Sequence, residues 1–178
     1  MLINSDENEK FETVVVNSYE DVVVSYVDSA NKLVYGTNGK VIEANDEHKT
    51  VIITNAAGEE KTLADISKEN TVSLYESDKM NRLVISSLTV SGSISALAKK
   101  NGKTYATINQ TGYMVYKDFM DANPDSLKVG MNGKAYINAY GKIVDFKVLG
   151  NSGGIYAWLI NYCVEEKFDD TVYLKLFT

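Results

Sequence analysis

The sequence predicts an all-β chain: tandem small antiparallel β-barrel or sandwich units built from consecutive hairpins, with at most one-turn helices. Three observations carry that reading. Apolar and polar residues alternate at period two, as in Ala135, Ile137 and Ala139 set against Tyr136, Asn138 and Tyr140, which puts one set on each face of a strand. Turn chemistry recurs between the runs: Asn38-Gly39, Asn101-Gly102 and Asn132-Gly133 pair two residue types that tolerate the positive φ of tight hairpins. A sustained 3.6-residue repeat is missing, and the intervals between runs are too short for the crossover helices of a parallel sheet.

Taken in chain order, residues 1–10 are polar and acidic and read as a flexible lead-in. A first β unit is expected over 11–90. It contains the hairpin DVVVSYVDSANKLVYG, turns at Ala57-Gly58-Glu59 and Asp78-Lys79-Met80-Asn81, and the hairpin TVSLYESDKMNRLVISSL. A second unit is expected over 91–178. Its hairpin KAYINAYGKIVDFKVL turns at Tyr140-Gly141-Lys142, with Ile143, Asp145 and Lys147 expected on one face and Val144, Phe146 and Val148 on the other. Single helical turns are expected from Leu63 to Ser67 and from Tyr116 to Ala122, the latter just ahead of Pro124.

An internal repeat organises these pieces. Gly39-Lys-Val-Ile-Glu-Ala, Gly92-Ser-Ile-Ser-Ala-Leu and, more loosely, Gly154-Ile-Tyr-Ala-Trp-Leu each open a strand and are followed by a second. The first two copies then run through TLADI or YKDF into the long hairpins above. Residues 154–178 resemble the start of a truncated third repeat, so the chain is expected to be a piece of a longer protein.

Composition narrows the function. With 44% hydrophobic residues the chain can bury a core, which argues against disorder. Its net charge is −6, with 18 basic residues scattered among 24 acids, so no nucleic-acid partner is expected. Cys163 is the only cysteine, which excludes an internal disulfide. No apolar run is long enough to span a membrane. The first residues also lack the basic and apolar stretches of a signal peptide, leaving a cytosolic protein or an excised fragment as the readings.

Sites of chemistry are sparse. His48, the sole histidine, sits in the polar turn NDEHKT, and Cys163 reads as a small apolar residue of a strand; a nucleophile–base pair between them is disfavoured. The acidic runs at 6–9 and 165–170 lack EF-hand spacing, so no metal and no cofactor are expected. No pair of acids stands out for glycoside hydrolysis, and the chain reads as non-enzymatic. Aromatic residues remain: Tyr136, Tyr140, Tyr156 and Trp158 are the candidate ligand-binding residues, an exposed row on which sugar rings could stack. The alternative is that about half of them face the core and the rest form cross-strand pairs.

Several of these segments carry a resemblance. FETVVVNSYEDVVVSYVDSANKLVYGTNGKVI, NTVSLYESDKMNRLVISSLTVSGSISAL and FDDTVYLKLFT resemble the β-rich repeat region of S-layer-homology-domain-containing cell-surface proteins of Gram-positive anaerobic bacteria. The features that recur there are a strand opening like Val90-Ser-Gly-Ser-Ile94, a tyrosine before an acidic turn as at Tyr113 to Phe119, and a hairpin like Gly141-Lys-Ile-Val144. The resemblance implies a non-catalytic structural or interaction module at the cell surface or cell wall, S-layer-associated or stalk-like. Its expected partners are other domains of the same protein or wall components. Two alternatives stand beside it: a carbohydrate- or wall-polymer-binding module using exposed tyrosines, and a cytosolic phage- or tail-like assembly protein.

Overall fold

The computed structural model describes residues 2–3, 13–14, 19–45, 48–123, 126–149, 158–165 and 171–177. Two short strands, β1 (Leu2–Ile3) and β2 (Thr13–Val14), pair with each other. The first unit comprises β3 (Glu20–Asp28), β4 (Leu33–Gly36), β5 (Val41–Glu43), β6 (Thr50–Asn55), a 3-10 turn (Leu63–Asp65), β7 (Thr71–Glu76) and β8 (Met80–Ser86). Ser87 and Leu88 lead into the second: β9 (Thr89–Lys100), β10 (Lys103–Ile108), β11 (Thr111–Val115), α1 (Lys117–Ala122), β12 (Asn132–Ile137) and β13 (Lys142–Val148). Beyond it, β14 (Trp158–Glu165) and β15 (Thr171–Phe177) form their own two-stranded sheet. The fold is all-β, as the period-two pattern predicts. The helical turn at Tyr116 to Ala122 is the six-residue α1, slightly longer than the single turn expected.

Strand order explains how the units relate. The second is a closed barrel, β9-β10-β11-β13-β12 and back to β9, in which β11 and β13 run parallel. With its helix between the third and fourth strands, it has the arrangement of an OB-type barrel. The first unit is an open six-stranded sheet, β5-β4-β3-β7-β8-β6, and repeats that order with one interruption. Its long first strand likewise pairs with two neighbours: β3 holds β7 along Glu20–Val23 and β4 from Val24 onward. In the barrel, β11 bridges β10 and β13. In the sheet that role is divided, β5 lying beside β4 and β6 lying parallel beside β8, so the sheet stays open. The two long hairpins and the two helical turns therefore occupy matching places. The strands after Gly39 and Gly92 do not, because Gly92 lies inside the first strand of its unit and Gly39 just ahead of the third.

Each unit buries its own core. In the sheet, Val22 and Val24, Val72 and Leu74, and Leu83 and Ile85 face inward at period two, joined by Val34, Ile42 and Ile66. In the barrel, Ile94, Ala106, Ile108, Val115, Ala135, Ile137, Ile143 and Phe146 do the same. One expected alternation is corrected here. Ile137 sits opposite Ile143 but Tyr136 sits opposite Asp145, so Val144 is an extra, bulged residue. The bulge flips the pleat, and Phe146 enters the core in place of a continued Ile143-Asp145-Lys147 face.

The turns divide similarly. Asn101-Gly102 makes the β9–β10 hairpin with φ of 51° and 72°, as an Asn-Gly type I′ turn requires. Gly39, Gly58 and Gly141 also take positive φ in the expected turns. Asn132-Gly133 is no turn: both residues are in β12, and the tight turn precedes them at Gly130, φ 89°. Gly133 is small for another reason. A Cβ there would overlap the Phe146 ring and come within 2.7 Å of the Lys147 carbonyl oxygen.

Candidate functional site

The polar side chains that the fold gathers lie where sheet meets barrel. Backbone joins the units first: Ile137 N–H donates to Leu88 O at 3.0 Å. The Thr71 hydroxyl, fully buried, donates to Ile137 O at 3.0 Å. Next to them Asn138, 1% exposed, donates through Nδ2 to Asp21 Oδ2 at 2.9 Å, while Ser73 donates to Asp21 Oδ1. The Asn138 Oδ1 accepts from the backbone of Tyr140 and Lys142, both at 3.0 Å. One amide side chain thereby closes the β12–β13 turn and holds the other unit.

A cluster of four tyrosines flanks this bridge. Tyr19 lies 5.2 Å from Tyr75, 5.8 Å from Tyr116 and 5.0 Å from Tyr140, ring centre to ring centre. The Lys142 ammonium donates to Tyr19 Oη at 2.7 Å, an inter-unit bond, and lies 5.6 Å from the ring centre of Tyr116 within its own barrel. Tyr116 Oη donates to Tyr19 O at 2.9 Å, and Tyr75 Oη donates to Tyr140 Oη at 2.6 Å. On the opposite flank, Lys134 pairs with Glu69 and Tyr136 Oη donates to Glu69 Oε1 at 3.0 Å.

Beside the bridge opens a cleft of about 470 Å³, lined among others by Glu20, Asp21, Tyr116, Asp118, Phe119 and Asp145. Its electrostatics follow from desolvation. Burial pushes the Asp21 carboxyl above the ordinary carboxylate range, outweighing the hydrogen bonds from Ser73 and Asn138 and the nearby Lys142; Asp118 adds to the rise. Burial raises Asp145 as well, and pushes the Tyr75 and Tyr116 phenols up. Tyr136 rises to about 12 through burial and its bond to Glu69. Glu69 moves the other way, held below the usual range by Lys134 and Tyr136. The cleft thus presents two carboxyl groups, Asp21 and Asp145, that hold their protons more firmly than usual, beside two aromatic rings.

Of the residues the sequence offers for ligand binding, Tyr136 is 3% exposed and its ring presents no open face. Tyr140 is 45% exposed and belongs to the junction cluster. Trp158 is placed only as a residue of β14 opposite Phe177, and Tyr156 lies outside the described residues. Tyr136 and Tyr140 therefore do not form an exposed pair, and the Trp158 side chain, like Tyr156, lies outside the description. His48 is exposed in the turn before β6, and the Cys163 side chain and the acidic run at 6–9 lie outside the description. Among the described residues no group of acids, histidines and cysteines is placed to hold a metal ion, and no helix is long and apolar enough to cross a membrane.

Sequence reasoning missed the junction residues Tyr19, Glu69, Asp21, Tyr75, Asn138 and Lys142. The one legible signal was Asn138, a polar residue in an otherwise apolar strand end, where burial without partners is costly. Its partner lies 117 positions away, beyond any local pattern. No family model, curated protein or solved structure matches the chain.

Proposed function

We propose that this chain is a non-catalytic structural and interaction module of a bacterial cell-surface protein, its two β units acting as one rigid element. The observation that carries the reading is the junction: the buried Asn138–Asp21–Ser73 bridge, flanked by the tyrosine cluster around Lys142 and by the Glu69–Lys134 pair. Polar groups buried between units are satisfied only in one relative placement, so they select a single geometry. A stalk or lattice component needs that property. An enzyme places its polar groups toward substrate, whereas these side chains face each other. The surface assignment rests on the resemblance of the sequence motifs.

Small-angle X-ray scattering tests the rigidity. A profile matching one fixed arrangement of sheet and barrel is expected, and a broad distribution of inter-unit distances refutes it. Labelling of intact cells producing the full-length protein tests the location; protein confined to the cytosol favours the assembly-protein alternative.

A second reading is favoured by the OB-type strand order, since such barrels bind oligonucleotides or oligosaccharides on the face of their second and third strands. Here that face is β10–β11, with Tyr105 partly exposed beside Lys103. The acidic chain disfavours nucleic acid, which leaves a wall glycan. Binding on a glycan array that Tyr105→Ala abolishes supports this reading, and equal binding by wild type and variant removes it.

A further inference from the structure

We propose that Tyr75 and Tyr140 form an oxidative cross-linking site, at which a dityrosine bond staples the sheet to the barrel. Three features of the tyrosine cluster lead there. The two phenol oxygens touch, Oη to Oη at 2.6 Å. The rings meet hydroxyl to hydroxyl, with ring centres 6.4 Å apart and planes at 83°. Tyr140 is 45% exposed, which gives an oxidant access and lets its proton leave to water. Tyr75 donates its own proton to Tyr140, so a phenoxyl radical formed on Tyr140 keeps a hydrogen bond to its oxygen.

Lys142 directs the chemistry to this pair. Its ammonium donates to Tyr19 Oη at 2.7 Å, 5.2 Å from the centre of that ring. A positive charge held against the phenol oxygen opposes electron loss from the ring, so Tyr19 is the least oxidisable member of the triangle it makes with Tyr75 and Tyr140.

The oxidant is hydrogen peroxide acting through a haem peroxidase. Each phenol gives up one electron, and its hydroxyl proton passes to water. The two radicals, whose spin density lies partly on the ortho carbons, couple to form one carbon–carbon bond. The two displaced ortho hydrogens move to the oxygens, restoring both phenols. Two phenols and one peroxide yield one dityrosine and two waters. The new bond closes a loop between positions 65 apart, constraining the unfolded chain across both units.

The test treats the full chain, at a dilution that suppresses coupling between molecules, with peroxide and a haem peroxidase. Expected in the monomer are dityrosine fluorescence, a mass lower by two hydrogen atoms, and a joined peptide carrying Tyr75 and Tyr140. Tyr140→Phe keeps the exposed ring and so the fold, which circular dichroism checks; its joined peptide should fall to the background of untreated protein, as should that of Tyr75→Phe. Oxidised wild type should also unfold at a higher temperature than untreated protein, a rise that Tyr140→Phe loses. Tyr26 and Tyr35, 5.9 Å apart within one sheet, are the internal comparison. Cross-links that map to that pair, that survive Tyr140→Phe, or that form only between molecules overturn the proposal.

Discussion

Replacing Asn138 by alanine removes three hydrogen bonds at once: the donation to Asp21 Oδ2 at 2.9 Å and the two acceptances from the Tyr140 and Lys142 backbone at 3.0 Å. The first is the most costly to lose, because Asp21 is already desolvated and a buried charged group left short of a partner costs about 2–3 kcal/mol. The two backbone bonds are part-buried, and water replaces part of their loss, leaving about 0.5 kcal/mol each. The sum is about 3–4 kcal/mol, which for a chain of this size lowers Tm by about 6–16 °C. Differential scanning calorimetry at pH 7 measures it. Asn138→Asp is the companion experiment: it keeps the backbone acceptor but sets a second carboxylate against Asp21. Its stability should be lowest at neutral pH and recover as the pair takes up a shared proton on acidification. A loss below about 1 kcal/mol in Asn138→Ala, together with a flat pH response in Asn138→Asp, would show that the bridge does not hold the units together.

Three further outcomes are expected. Gly133→Ala drives a methyl into the Phe146 ring and the Lys147 carbonyl, an overpacking of about 1–3 kcal/mol; urea denaturation reads the loss, and Phe146→Leu in the same chain should restore part of it. Asp145 has a folded pKa raised above its ordinary 3.8, so the native state binds the extra proton and this group's penalty is present above the folded pKa and vanishes below 3.8. Asp145→Asn, which keeps the acceptor used by Phe146 N–H, should therefore stabilise the protein at pH 7 and bring no gain in acid, as urea midpoints at the two pH values will show. Glu69 has the opposite sign: its lowered pKa stabilises the fold above the ordinary 4.5 and that contribution is lost as pH falls through the folded value. Tyr136→Phe should cost about 1 kcal/mol and move the Glu69 carboxyl back toward 4.5, followed by NMR titration.

How far the sequence could be read depended on the range of the interaction that decided each feature. Local chemistry was legible. The β7–β8 and β12–β13 hairpins and the Asn101-Gly102 turn follow from side-chain period and backbone freedom alone. The bulge at Val144 was not, because a strand adds a residue only in response to its partner, and Tyr136 and Asp145 had to be paired before it existed. Asn132-Gly133 misled for a related reason: the glycine is spent on a close approach to Phe146, and a close approach has no local signature. The interruption of the third strand is what makes one unit a sheet and the other a barrel, yet residues 44–49 look like any polar turn. The junction was the least legible part. The side-chain bonds that cross it span separations of 65 to 123 positions, and apart from Asn138 its participants, read one by one, are ordinary polar and aromatic residues.

The barrel closes through a narrow seam. Only Met114 opposite Lys142 and Val115 opposite Ile143 join β11 to β13, reinforced by Tyr116 N–H to Ile143 O at 2.8 Å. Breathing will concentrate at so short a zipper, since few bonds must break together for it to part. The lysine that ends the seam is the one whose ammonium reaches across to Tyr19. Docking against the sheet therefore pins the barrel's weakest stitch from outside, and the barrel depends on its neighbour for the integrity of its own wall.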